Sequence, residues 1–196
     1  MGKLYFKYGC LNASKTANLI MSAYQYEQQG KNAIILKPSV DTRSKNGIIE
    51  SRVGISHSAI EFSKEDNLFE IVYELYKMED IDVCFIDEAN FLTKEQVEQI
   101  VKIVDDLDVN VCVYGLKNTY LEGELFEGIK YLLYYADKIE EIKSMCQFCN
   151  SKATMNLRVV NGKAVYSGEV EIVGDIVGEE KYISCCRYHY HNNQYV

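Results

Sequence analysis

The stretch that most constrains this chain is residues 3–16, KLYFKYGCLNASKT. Leu4, Tyr5, Phe6 and Tyr8 form a short apolar-aromatic run of the kind that makes a buried strand. Gly9 closes the run, and Lys15-Thr16 completes a segment with the spacing of a phosphate-binding loop, G-x-x-x-x-G-K-[ST]. Ser14 stands where the second glycine of that pattern belongs. The residue types suit the chemistry. A tight loop, here Gly9, Cys10, Leu11, Asn12, Ala13 and Ser14, aims several backbone N–H groups at a phosphate. Lys15 adds a point charge, and Thr16 offers a hydroxyl to Mg²⁺. A helix that begins at the loop adds its N-terminal dipole to the anion site.

Ser14 leaves two outcomes open. Glycine at this position keeps a side chain away from the phosphates and permits φ > 0. Either the loop has moved to a dihedral that serine tolerates, or it carries strain. The presence of Gly9, Lys15, Thr16, Asp87 and Glu88 together favours the first, which is the expectation.

Beyond the loop, apolar residues recur in two alternating patterns. Residues 15–29 carry Leu19, Ile20, Ala23 and Tyr24 at helical spacing, and Gly30 stops them. Residues 32–36 (NAIIL), 82–87 (DVCFID), 109–114 (VNVCVY) and 138–142 predict strands. Ser63 predicts the cap of a helix reaching residue 78, and Thr93 with Gln96 predicts a capping box for a helix reaching residue 104. Residues 124–135 predict a short helix. Residues 37–52 lack a period and are expected to be a surface loop, with Asp41-Thr42-Arg43 as its functional option. Strands alternating with helices predict βαβ units and a largely parallel sheet covered on both faces.

A net charge of −8 argues against a nucleic-acid groove, which needs clustered Lys and Arg. No apolar run approaches the length of a membrane span, and the chain opens on strand-like residues without a leader pattern. A cytoplasmic protein is the expectation. The seven cysteines are an odd number, which does not suggest a disulfide framework. Cys84 and Cys112 lie in apolar runs and are expected in the core.

The character of the chain changes near Ser144. Residues 1–143 are expected to form the nucleotide-binding unit and residues 144–196 a smaller one. Asn161-Gly162, between LRVV and KAVY, is a hairpin signal. Cys146-x-x-Cys149 and Cys186-x-x-His189 are two tight knuckles, and a structural zinc needs four such donors in a tetrahedron. Cys185 competes with Cys186, and His191 with His189, but the spacing favours Cys186 and His189.

The second chemical site is Val83-Cys84-Phe85-Ile86-Asp87-Glu88, a buried strand ending in acids. Asp87 is placed to hold Mg²⁺ with Thr16, directly or through water. Glu88 follows at the carboxyl edge of the sheet, where open α/β sheets bind ligands. There a carboxylate can take a proton from an attacking hydroxyl or water.

With these sites in this order, the chain resembles the cytosolic, zinc-containing thymidine kinases of bacteria, large DNA viruses and animals. The likeness covers nearly the whole chain, through YFKYGCLNASKT, VCFIDEANFLT, VYGLK, GELFEG, ADKIEEIK, KATMNLR and KYISCCRYHY. The resemblance implies a RecA-like phosphate-loop α/β domain with a small C-terminal zinc-ribbon or lasso domain. It implies transfer of the ATP γ-phosphoryl group to the 5′-hydroxyl of thymidine, and of deoxyuridine, for pyrimidine salvage and DNA synthesis. Glu88 matches the general base, Gly9 to Thr16 the phosphate loop, and Asp87 the metal-side acid. Phe91, Leu11 and Leu116 match residues around the base, and Tyr182 a lasso tyrosine near the nucleoside. Residues 173–182 match the lasso backbone, and Asp41 and Arg43 a polar pair near the phosphates. Structural Zn²⁺, Mg²⁺ with ATP, dTTP as feedback inhibitor and a homotetramer complete the implication. Asn90 departs from the family's Gln, and an extra residue in LKNTYLEGELF leaves Tyr120 and Leu121 as alternatives for one pocket position. Two rival functions follow from the same residues: an ATPase in which Glu88 activates water, and a nucleotide-binding regulator weakened by Ser14.

Overall fold

The structure, a computed structural model, describes residues 1–168 and 180–192. In chain order its elements are β1 (Leu4–Tyr8), α1 (Lys15–Gln28), β2 (Ala33–Pro38), β3 (Ile48–Glu50), β4 (Ser56–Ser58), β5 (Ile60–Phe62), α2 (Leu68–Tyr76) and β6 (Val83–Ile86). A 3₁₀ turn, Ala89–Phe91, follows β6. Then come α3 (Lys94–Leu107), β7 (Asn110–Gly115), α4 (Glu127–Tyr135), β8 (Lys138–Glu141), β9 (Met155–Val160), β10 (Lys163–Val165), β11 (Glu180–Cys185) and α5 (Arg187–Asn192).

Six strands form one sheet in the order β5-β2-β6-β7-β1-β8, and every pairing within it is parallel. The expected α/β sheet is therefore present. Its two faces follow the period-2 alternation of strand side chains. Leu4, Phe6, Cys84, Ile86, Val111 and Val113 pack into one apolar layer with Val97, Ile100 and Ile103 of α3. Val83, Phe85, Cys112 and Tyr114 point the other way and meet Leu19, Ile20 and Ala23 of α1. Cys84 and Cys112 are core residues, as expected.

Local chemistry sets the helix ends. Thr93 accepts from Gln96 N, and the Gln96 side chain returns to Thr93 N, so the predicted capping box opens α3. α2 differs from expectation: it begins after Asn67, whose side chain accepts from Phe69 N and Glu70 N. Ser63 is instead engaged in a turn, its backbone N and Oγ both donating to Asp66 Oδ2. A carboxylate three residues on outcompetes the capping role that the sequence suggested for Ser63. α4 starts at Glu127 rather than residue 124, because the preceding residues form a loop closed by an Asn118–Leu125 bridge. The segment expected to be a featureless loop contains β3, paired antiparallel with β4 and buried through Ile49.

A second sheet, β10-β9-β11, is antiparallel. β9 and β10 are joined through Asn161 and Gly162, both with positive φ, which is the hairpin predicted from Asn-Gly. Leu157, Val159, Cys185 and Tyr190 form its apolar cluster. Among the described residues no helix is long and apolar enough to cross a membrane.

α4 approaches the site-side turn closely at one point. Gly128 N donates to Leu92 O at 3.1 Å. A Cβ at Gly128 would lie 2.5 Å from that oxygen and 2.8 Å from Leu92 Cβ. Gly128→Ala is expected to cost about 1–3 kcal/mol, the range for overpacking, read as a lower denaturation midpoint at constant m-value. An unchanged midpoint would contradict this close approach.

Candidate functional site

The carboxyl ends of β1, β2, β6 and β7 lie along one edge of the parallel sheet, and each delivers part of a single cleft. The cleft encloses about 570 Å³ and is lined by residues 11–17 together with Arg43, Glu88 and Leu116, among others. Gly9 is required by close approach: a Cβ there would lie 2.7 Å from Ile142 O and 2.8 Å from Ala13 Cβ. The loop that follows turns through Ala13 N donating to Cys10 O at 3.2 Å and leads directly into α1.

Ser14 has φ 56° and ψ 32°, and Asn12 also has positive φ. The expectation that the loop had moved to a dihedral comfortable for serine is therefore not met. The backbone keeps the left-handed conformation that glycine would supply, and serine adopts it at a cost of about 1–2 kcal/mol. Its side chain makes no cap hydrogen bond that would offset this.

Lys15 is buried, and its Nζ donates to Cys10 O at 3.0 Å across the loop. Burial depresses its pKa, opposed by the charges of Glu88 and Asp87. Thr16 Oγ1 donates to Asp87 Oδ2 at 2.8 Å, joining the start of α1 to the end of β6. Among the described residues, Asp87 Oδ1 is buried without a hydrogen-bond partner. Burial, and then the neighbouring charge of Glu88, raises the Asp87 pKa to about 7, against the Thr16 hydrogen bond, the Glu88 backbone N–H and Lys15. A buried, half-satisfied carboxylate beside a threonine hydroxyl is a donor set that fits Mg²⁺, a hard cation that takes few protein oxygens.

Glu88 has φ 49°, a strained backbone for a non-glycine residue, and opens the 3₁₀ turn Ala89–Phe91. Its carboxylate accepts a hydrogen bond from Arg43 Nη2. The same guanidinium grips Asp41 at both oxygens, Nε–Oδ1 at 2.6 Å and Nη2–Oδ2 at 2.9 Å. Burial alone would raise the Asp41 pKa, but the Arg43 hydrogen bonds and charge outweigh it and hold it low. The resemblance places Asp41 and Arg43 near the phosphates and implies no link to Glu88. Such a link, across 45 residues, leaves no local signal. The lining residues Glu50, Ser51 and Arg52 likewise carry no local sequence signal; the β3–β4 hairpin brings them in, with Arg52 bonded to Asn12 Oδ1.

Of the residues expected around the base, Leu11 and Leu116 line the cleft. Asn90 Oδ1 accepts from Leu116 N at 3.3 Å, so the residue that departs from the family pattern supports the cleft wall. Phe91 lies half-buried in the 3₁₀ turn. Tyr182 packs edge-on against Tyr120 with ring centroids 5.9 Å apart. Tyr120 is buried, and its hydroxyl accepts from Arg158 Nη1 at 3.0 Å. Neither Tyr120 nor Leu121 is part of the cleft lining. Residues 173–179 of the expected lasso lie outside the described residues.

Cys146, Cys149, Cys186 and His189 meet with their ligand atoms all within 4.8 Å of one another. Cys149 Sγ and Cys186 Sγ are 3.9 Å apart, and His189 Nδ1 lies 3.2 Å from Cys186 Sγ and 3.6 Å from Cys146 Sγ. Tetrahedral zinc with Zn–S of about 2.3 Å and Zn–N of about 2.0 Å needs ligand atoms separated by roughly 3.5–3.8 Å, so this set can hold the ion. The rivals are elsewhere. Cys185 is fully buried in the apolar cluster, and burial pushes its thiol up to about 12. His191 faces Glu122, Nδ1–Oε1 3.7 Å.

A parallel sheet that delivers a Lys-Thr loop and an acidic strand end to the same cleft defines the phosphate-loop class of α/β proteins. Similarity to known proteins narrows the class. The model of the thymidine kinase family matches residues 2–190. A thymidine kinase of Streptococcus pyogenes serotype M3 is 45% identical over 193 residues, covering 98% of each chain. One from Streptococcus agalactiae serotype Ia is 44% identical over the same length and coverage. The chain belongs to the thymidine kinase family.

Ser14→Gly tests the strained loop. Relief of about 1–2 kcal/mol against roughly 0.5–1 kcal/mol of added unfolded-chain entropy predicts a small net stabilisation. Thermal unfolding of the variant should occur at or above the parent's midpoint; a clear drop would show that serine is not strained here.

Proposed function

We propose that the chain catalyses transfer of the ATP γ-phosphoryl group to the 5′-hydroxyl of thymidine, giving dTMP, and accepts deoxyuridine as well. The observation that carries this is the meeting of Lys15, the Thr16–Asp87 pair and the Arg43–Glu88 pair in one cleft, in a member of the thymidine kinase family.

Phosphoryl transfer has a loose transition state, so positioning and charge neutralisation carry most of the catalysis. The loop's backbone N–H groups other than those of Gly9, Leu11 and Ala13, which donate within the protein, bind the β- and γ-phosphates together with the Lys15 ammonium. Thr16 and Asp87 would hold Mg²⁺, which when bound neutralises phosphate charge. Glu88 accepts the proton of the 5′-hydroxyl as it attacks. Arg43, fixed by Asp41, orients the Glu88 carboxylate. Leu11, Leu116, Phe91 and Tyr182 surround the base and help keep water from the phosphates. We divide the chain at residue 143 into a phosphate-transfer unit and a zinc-held unit. Cytoplasmic location, a homotetramer and inhibition by dTTP belong to the same proposal.

Glu88→Gln keeps the size of the side chain and removes the base. Turnover is expected to fall by ~10²–10⁴-fold with ATP affinity little changed, whereas Asp87→Asn is expected to weaken Mg²⁺-ATP binding. A Glu88→Gln enzyme with more than about half the parent's turnover would refute the assignment, since a lost general base costs far more. ADP formation independent of thymidine would instead favour an ATPase.

Purified protein is expected to carry one zinc per chain. Its removal by chelator should lower the thermal midpoint, because binding energy at a structural zinc is folding energy. Protein that is free of zinc and indifferent to chelator would exclude the metal.

A further inference from the structure

Leu11 lines the cleft near the head of the phosphate loop, yet both of its backbone polar groups are held from a distant part of the chain. Its N–H donates to Asn156 Oδ1 at 3.0 Å, across 145 residues. Its carbonyl accepts from Ser184 Oγ, across 173 residues. Asn156 on β9 and Ser184 on β11 are directly paired in the antiparallel register, and both are buried. The two side chains therefore act as one two-pronged grip on the backbone of a single loop residue, spanning the two peptide units that flank it.

Asn156 does more than hold Leu11. Its Nδ2 donates to Asn118 O at 3.0 Å, in the segment that follows β7. Only one orientation of the amide satisfies both partners, with the oxygen toward Leu11 and the nitrogen toward Asn118. One side chain thus fixes the phosphate loop relative to the next strand end of the cleft.

The strand behind Ser184 runs into the zinc cluster. Gln147 N, between the ligands Cys146 and Cys149, donates to Ser184 O at 3.1 Å. Thr154 N donates to Cys185 O at 2.9 Å, and Cys186 is itself a candidate ligand. The gripped loop holds two left-handed non-glycine residues, Asn12 and Ser14. Such a backbone persists only where its surroundings over-determine it.

We propose that Asn156 and Ser184 are positioning residues that hold the phosphate loop through the backbone of Leu11, with the Cys146, Cys149, Cys186 and His189 cluster anchoring the strand from which they act. The consequence for ATP rests on the phosphoryl-transfer reading above; the grip itself does not.

The test compares Asn156→Ala and Ser184→Ala with the parent and with Ser184→Thr, which keeps the hydroxyl. Hydrogen exchange of the peptide covering residues 9–16 is followed without nucleotide, and Mg²⁺-ATP affinity and zinc content are measured in parallel. Both alanine variants are expected to exchange faster in that peptide and to bind ATP about tenfold more weakly, as for a lost buried hydrogen bond. Zinc content should stay at the parent's level, and Ser184→Thr should behave like the parent. Stripping zinc with a chelator is expected to speed exchange of the same peptide.

Parent-like loop exchange in both alanine variants overturns the grip. Faster exchange with ATP affinity within about twofold of the parent overturns the positioning role. Loop exchange unmoved by zinc removal overturns the part assigned to the cluster. If Asn156→Ala fails to fold, Ser184→Ala, which removes one bond only, decides the question. A parent that binds no ATP refutes the phosphoryl-transfer reading alone, and the exchange comparison then still decides whether the loop is held.

Discussion

The Thr16–Asp87 hydrogen bond ties together parts of the chain 71 residues apart, and the cleft depends on it. Asp87 is almost entirely withdrawn from solvent, with 1% of its surface exposed. A carboxylate in that position is stable only if polar partners reach it. Thr16 is the side-chain partner, and it is available because the phosphate loop turns tightly enough to start α1 beside the end of β6. The tightness in turn needs Gly9, since any side chain there would meet Ile142 O and Ala13 Cβ. One buried carboxyl group thus fixes the loop geometry, the start of a helix and the identity of a glycine.

The same logic extends outward through Glu88. Its carboxylate and that of Asp41 share the Arg43 guanidinium, so the ends of β6 and β2 are joined by charge-assisted bonds. Lys37, buried at the end of β2, repeats the device one layer away. Its Nζ donates to Ser44 Oγ at 3.0 Å and pairs with Glu61 Oε1 at 3.3 Å. The loop after β2 is held from both sides, which is why a segment without hydrophobic period is nevertheless ordered enough to present Arg43 to the cleft.

What was legible in the sequence was local. The strand–loop–helix opening, the acidic end of β6, the Thr93–Gln96 box, the Asn-Gly hairpin and the two zinc knuckles each lie within a few residues, where chemistry and spacing coincide. What was not legible depended on partners far away in sequence. Ser63 looked like a cap until Asp66 claimed it. β3 contributes only three residues, too few for a period, and needs β4 to exist as a strand. The Arg43–Glu88 contact and the Asn156 and Ser184 contacts to Leu11 join elements that only the completed sheets bring together. The Ser14 dihedral is not legible in the sequence for a related reason. A serine tolerates the left-handed region when the rest of the loop is held, and the sequence gives no measure of that restraint.

Charge explains why loop shape matters so much in this chain. The protein carries a net charge of −8, so an approaching nucleotide meets a repulsive field at long range. At physiological ionic strength that field fades over about 8 Å, and the residues lining the cleft then dominate. They include the cations Lys15, Arg43 and Arg52, but also Glu50 and Glu88. Arg43 already satisfies two carboxylates. The net cationic attraction available to a triphosphate is accordingly small. On the function proposed above, backbone N–H groups, which carry no net charge and act only when aimed correctly, supply much of the anion binding. A site of that kind depends on loop conformation more than on the number of its lysines and arginines, and this is the physical reason that a single glycine, two left-handed residues and a pair of remote side chains all converge on the same short segment.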